Sequence, residues 1–425
     1  MVRNCEKIKP FLLTALIALS ISLITPLPSR ADDPIVRNDY ALDLMNRGEY
    51  EKALEQLQKA FSLYPYDETL RKNLAVAYMY VGKHEMEANR YAEAAENFDH
   101  ARELAPDKAL YGVMRGVALY LAKNYDAARF ELERARGVGG DPVDILYYLG
   151  RVNYDTGELA AAIECWEKAL ALEPGNKAVR EMVEKVRREA AVESRMDKEH
   201  SSKFEISHDA EVSSDLADGI LDVLESAYNR VGSDLDYFPT ARVPVILYTK
   251  KDYRSVTESP DWSGGLYDGK IRLPVGGATE ITPQLRAILF HEYTHVVVHE
   301  LTGGNVPTWL NEGLAEYEGR KELNLPMAEL GKAAKHGGYL TFPALEGSFG
   351  SLDNKQASLA YQQSYSMVNY MIGAYGWYNV REILVNLGQG ITIDAAIKKA
   401  LNGFSLDYPG MVQEWQAYMQ KDFGK

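Results

Sequence analysis

His291-Glu292-Tyr293-Thr294-His295 sets two imidazoles four residues apart, with a carboxylate beside the first. On an α-helix that spacing puts both rings on one face, one turn apart, where they can reach a single metal ion. Glu292 lies about 100° around such a helix, able to stand beside a reacting water instead of ligating. Trp309-Leu310-Asn311-Glu312-Gly313-Leu314-Ala315-Glu316-Tyr317 follows a short turn containing Pro307. A second helix there, packed back on the first, would bring Glu312 to the same ion. Two histidines and a glutamate with an open fourth position are the donor set of a hydrolytic zinc site, one Zn2+ per chain.

These residues need a helix that aligns them. Thr282-Pro283 is a helix start, a hydroxyl cap followed by proline at the first helical position, and Gly303-Gly304 is a stop. Ile288, Leu289, Phe290, Val296, Val297 and Val298 surround the motif, so the helix is expected to be buried, and buried histidines and a glutamate require a partner. Upstream, Phe204-Glu205-Ile206 alternates as a short strand, Asp215 to Val231 has helical apolar spacing, and Val243 to Tyr248 reads as a buried strand. Gly265-Leu266-Tyr267 and Lys270-Ile271-Arg272-Leu273 flank Asp268-Gly269, a hairpin signal. Strands first and helices afterwards predict an α+β domain over 204–425, with the polar stretch 197–203 as a linker before it.

HEYTH and WLNEG, with 16 residues between His295 and Glu312, resemble the motifs of the gluzincin metallopeptidases, the group that includes thermolysin and aminopeptidase N. The gap is slightly shorter than in those relatives, which implies a tighter loop. The stretch from Phe204 to the C-terminus is similar to compact bacterial peptidase MA-like domains. The resemblance implies that His291, His295 and Glu312 ligate zinc and that Glu292 is the general base for a metal-activated water. Glu316, one turn past Glu312, resembles the carboxylate that orients the first zinc histidine. A tyrosine that stabilises the oxyanion is implied within Tyr361-Gln362-Gln363-Ser364-Tyr365: Tyr361 matches best, and Tyr365 is its rival. Lys270 to Leu273 resembles the edge strand along which relatives bind a substrate backbone. The Gly-Ala-Met-Glu-Asn run of aminopeptidase N is absent, Gly276 to Glu280 being a poor match, so endopeptidase activity is expected. The metzincin pattern fails because Leu301 stands where its further histidine belongs. His299 continues the four-residue series but lies about 12 Å along the helix from His291, too far for the same ion. His84, His100, His200, His208 and His336 are scattered and are expected at the surface.

Residues 36–176 are self-similar. Ala53, Ala94, Ala128 and Ala162 fall in one column, and Ala60, Ala101, Ala135 and Ala169 in another; Pro65, Pro106, Gly140 and Pro174 close the units. The period of about 34 residues, with paired small residues and a terminal proline, resembles the tetratricopeptide repeat (TPR). Four repeats are predicted, with seven extra residues in the second absorbed by a longer helix over Asn73 to Asn89. Met182 to Arg195 alternates charge and reads as a capping helix. The chain is therefore expected to have two domains, an all-α TPR solenoid over 34–196 and a gluzincin-like α+β domain over 204–425. The repeats imply a protein or peptide partner, or a platform for the second half.

The first 31 residues read as an address. Arg3, Lys7 and Lys9 precede an apolar run from Phe11 to Ile24, too short to span a bilayer but matched to a signal peptide, with cleavage expected after Ala31. Export to a bacterial periplasm or medium follows, without stable membrane insertion after cleavage. The formal charge of -14 argues against nucleic acid as a partner. Cys5 and Cys165 are the 2 cysteines, which excludes a disulfide framework and a cysteine-rich metal site. Two classes of function remain: an exported zinc endopeptidase with a TPR array that recruits its substrate, and an envelope interaction scaffold whose peptidase-like domain is inactive or latent.

Overall fold

The computed structural model describes residues 33–140, 142–258 and 264–423. The expected signal peptide and its cleavage site lie outside them. The chain divides into two compact units, Met1–Ala77 and Tyr78–Lys425. Among the described residues no helix is long and apolar enough to cross a membrane.

The first unit carries α1 (Pro34–Asn46), α2 (Tyr50–Leu63) and the first half of α3 (Glu68–Glu87). Ala41, Leu44, Ala53, Leu57 and Ala60 are buried in it. At 20 residues α3 is longer than α1 and α2, which have 13 and 14, so the extra residues of the second repeat do extend its helix.

The second unit continues the repeats with α4 (Tyr91–Leu104), α5 (Ala109–Leu121), α6 (Tyr125–Gly137), α7 (Pro142–Asp155), α8 (Leu159–Leu172) and the capping helix α9 (Lys177–Glu193). The alanine columns are buried throughout, because a larger side chain would hold antiparallel helices apart. Left-handed residues recur at the turn inside each repeat: Gly48, Asn89, Lys123 and Gly157, with φ of +77°, +58°, +59° and +79°. Cys165 is half-buried, its Sγ accepting from Asn153 Nδ2 at 3.6 Å.

The C-terminal half follows without a break. β1 (Asp197–His200), β2 (Phe204–His208), α10 (Ser214–Leu235), β3 (Val243–Tyr248), α11 (Lys250–Thr257), β4 (Leu266–Tyr267) and β5 (Ile271–Pro274) build one five-stranded sheet in the order β1-β2-β3-β5-β4. Strands β2, β3 and β5 run parallel, with Phe204 opposite Val243 and Val245 opposite Ile271; β1 and β4 are antiparallel edges. Two expectations about the sheet are corrected. Asp197–His200 is an edge strand and not a linker, because its backbone pairs with β2 from Asp197↔His208 to His200↔Glu205. Ile271–Pro274 is not an edge, because β4 pairs along its outer side.

Helices then follow, α12 against the sheet and the others built onto it: α12 (Pro283–Thr302), α13 (Thr308–Arg320), α14 (Ala328–His336), α15 (Phe342–Glu346), α16 (Asn354–Gly388), α17 (Ile393–Ala400) and α18 (Tyr408–Phe423). Thr282 Oγ1 accepts from Leu285 N and caps α12, and Gly303 ends it at φ +60°, as the sequence predicts. Leu289, Phe290, Val296, Val297 and Val298 of α12 are buried with Ile271 and Leu273 of β5 and Leu310 and Leu314 of α13. His208, expected at the surface, is 4% exposed; as the last residue of an interior strand it turns inward, its Nε2 lying 3.3 Å from Glu199 Oε1.

Candidate metal centre

Helix α12 presents His291 and His295 on one face, and α13 packs back on it after the short turn through Pro307. His291 Nε2 lies 3.4 Å from Glu312 Oε2, and His295 Nε2 lies 3.6 Å from the same oxygen. One ligand atom from each residue falls within 4.8 Å of the others, an arrangement sized for a single cation. Gly313 makes the approach possible: a Cβ there would sit 2.5 Å from the Ser364 carbonyl oxygen of α16. Its neighbour Glu312 is thereby seated over the histidines.

The donor set fits zinc in its chemistry. Oε2 of Glu292 is buried without a hydrogen-bond partner, a costly state for a carboxylate unless a cation or a reacting molecule answers it, and Oε2 of Glu312 faces the two histidines. Burial disfavours the charged imidazolium of His291, yet Glu312, Glu292 and Glu316 outweigh it and hold its pKa up at about 9. Burial raises the Glu292 carboxyl. Burial acts on Glu312 in the same sense, but the two histidines hold it below its ordinary value.

Supporting residues surround these. His295 Nδ1 donates to Asn311 Oδ1 at 3.0 Å, which leaves Nε2 facing Glu312. Sequence reasoning passed over Asn311, although it stands inside WLNEG next to a candidate ligand. Glu316 Oε1 is 3.7 Å from His291 Nδ1, beyond hydrogen-bonding distance, and Arg320 Nε donates to its other oxygen at 2.8 Å. Gly265, just before β4, lies against the general-base candidate: a Cβ there would sit 2.5 Å from Glu292 Oε1.

The two tyrosines part company. Tyr361 lines the cavity with His291, Glu292 and Glu312, and burial followed by the Glu312, Glu316 and Glu292 charges raises its pKa. Tyr365, one turn on, lies beneath Arg320, whose guanidinium is 4.6 Å from its ring centre, and beside Tyr317. His299 takes no part in the cluster; it packs edge-on against Tyr267 of β4 at 5.8 Å.

Residues 239–421 match the Peptidase MA superfamily, and residues 82–142 and 143–176 match tetratricopeptide repeats. The chain thus carries a Peptidase MA superfamily domain preceded by TPR repeats. Solved structures similar to this chain include the MamA protein, 22% identical over 37% of this chain and 86% of that one, with a TM-score of 0.31. PilF of Pseudomonas aeruginosa is 22% identical over 36% of this chain and 67% of its own, with a TM-score of 0.28. A thermophilic TPR protein of Thermus thermophilus is 21% identical over 37% and 82%, with a TM-score of 0.26. No curated protein matches the chain.

Proposed function

We propose that the protein is an exported zinc-dependent endopeptidase. The observation that carries the reading is the convergence of His291, His295 and Glu312 on one point, with an unpartnered Glu292 oxygen beside it. A bound zinc ion would supply Lewis-acid chemistry, polarising the scissile carbonyl and making water acidic enough to attack at neutral pH. The protein's own groups do the rest. Glu292 Oε2 accepts the proton of the attacking water and passes it to the leaving amine. The Tyr361 hydroxyl donates to the oxygen on which negative charge develops. Asn311 holds the His295 ring, and Glu316, pinned by Arg320, faces His291.

Export rests on the N-terminal pattern of basic residues, apolar run and Ser29-Arg30-Ala31, and N-terminal sequencing of protein from the cell envelope tests it, with Asp32 expected as the first residue. Glu292→Gln tests the chemistry. Peptide hydrolysis should fall by about 10²–10⁴-fold, the share of a general base, while zinc measured by elemental mass spectrometry stays near one per chain. Undiminished turnover in that variant would sink the mechanism, and a wild-type chain that takes up no zinc would leave the scaffold reading in first place.

A further inference from the structure

The cavity that holds the candidate metal ligands does not end at the peptidase domain. It has a volume of about 1510 Å³, larger than the roughly 300–1,000 Å³ of a small-molecule site. His291, Glu292, Glu312 and Tyr361 line it, and so do Tyr120, Tyr125 and Arg151 of the repeats. Tyrosines give contact area at low entropic cost and a polar tip, a chemistry suited to polypeptide of varied sequence. Tyr120 and Tyr125 lie 6.0 Å apart; the Tyr120 hydroxyl donates to Asp155 Oδ2 at 2.7 Å and the Arg151 guanidinium covers its ring at 5.4 Å, so half-buried Tyr125 is the ring presented to the cavity. On the side of the candidate centre, β4 is the edge strand of the described sheet, and an edge strand is where an extended chain can add by backbone pairing.

Two turn side chains fasten the repeats across this cavity, in addition to Lys185 of α9, which pairs with Asp268 at 2.7 Å. Both occupy the turn position that is glycine in the first and last repeats, and both adopt left-handed backbone there. Asn89 Nδ2 donates to the Gly388 carbonyl at the end of α16, at 2.7 Å. Lys123 Nζ pairs with Glu300 near the end of α12. A left-handed conformation is unfavourable for a residue with a Cβ, less so for asparagine. A glycine at either place would avoid that cost but could not make the contact.

We infer that the repeat face of α5 to α7 is the second wall of the substrate groove, held over β4 by Asn89 and Lys123, so that one unfolded stretch of polypeptide lies between the repeats and the candidate metal centre. The inference rests on the peptidase reading for its substrate. The repeats then act within the catalytic cleft and not at a separate recruiting surface, and a folded protein would not enter.

The test uses the full chain carrying Glu292→Gln, loaded with zinc, and fluorescein-labelled reduced and carboxymethylated α-lactalbumin as a permanently unfolded probe. A photo-crosslinking amino acid replaces Tyr125, Tyr267 or, as a control, the exposed Phe130 of α6. Label from both Tyr125 and Tyr267 but not Phe130, displaced by unlabelled probe and absent with native α-lactalbumin, is the expected result. Label from Tyr267 alone, or equal label from Phe130, would overturn the shared groove. Adding Asn89→Gly with Lys123→Gly should reduce the Tyr125 label and spare that of Tyr267; an undiminished Tyr125 label would overturn the tether. Tyr125→Ala in the same background should weaken probe binding about tenfold by fluorescence anisotropy, and unchanged affinity counts against the wall. Hydrolysis of the probe by the unsubstituted chain is scored separately: crosslinks from both walls without cleavage keep the groove and refute the peptidase, whereas cleavage with label from Tyr267 alone does the reverse.

Discussion

At the scale of single residues, the candidate centre depends on groups that touch no ion themselves. Asn311 fixes the tautomer and the angle of the His295 ring. Asn311→Ala should weaken zinc affinity by about 10–100-fold, read by competition with a chelator, with little change in the melting temperature of the metal-free protein. Gly265 lies so close to Glu292 that any side chain there must displace the carboxylate. Gly265→Ala should lower kcat by roughly 10²-fold, the cost of misplacing a catalytic group by about 1 Å, with zinc content unchanged. An unaltered kcat would show that the carboxylate shifts without consequence. Asn311 could have been read from its place beside Glu312 in WLNEG. Gly265 could not, because it lies 27 positions from its neighbour in sequence and its role is only the space it leaves.

At the scale of elements, the joint between α9 and the β4–β5 hairpin decides whether repeats and sheet move as one. Arg272 is 1% exposed, and it reaches Glu189 at 3.0 Å, Glu193 at 2.6 Å and Asp268 at 2.9 Å. Lys270 lies 3.5 Å from Glu193, and Lys185 pairs with Asp268 at 2.7 Å. Arg272→Met would leave buried carboxylates uncompensated and should destabilise the protein by about 3–5 kcal/mol in denaturant unfolding. A loss below about 1 kcal/mol would mean that the neighbouring lysines compensate. The sign of the pH effect follows from the same cluster. Burial pushes the Glu193 and Asp268 carboxyls up, but Lys270, Arg272 and Lys185 outweigh it and hold both below their ordinary values. Their contribution is present above the unfolded carboxylate pKa of about 4 and is lost as pH falls through the lower folded values. Hydrogen exchange along α9 should therefore accelerate at acid pH before that of α12 does.

At the scale of the whole molecule, the repeats from α4 onward and the candidate centre share a cavity within one compact unit. Alanine columns at a regular period predicted the repeat helices. They carried no information about where the repeats dock, because docking uses the turn residues Asn89 and Lys123, which break the glycine pattern, and the charged residues of α9, which lie outside the columns. The same holds at residue 197, where a polar composition suggests a linker and backbone pairing makes an edge strand.

What the sequence determined by itself was local. HEYTH, its caps and the short turn to WLNEG bring His291, His295 and Glu312 together because helical periodicity and a tight return leave few other arrangements. The tertiary structure decided the rest. Tyr361 and Tyr365 share a helix face, and only the packing of Arg320 and Tyr317 over the second leaves the first in the cavity. Sheet order, the burial of His208 and the repeat wall over the cleft likewise depend on contacts between residues distant in the chain, which no short spacing encodes.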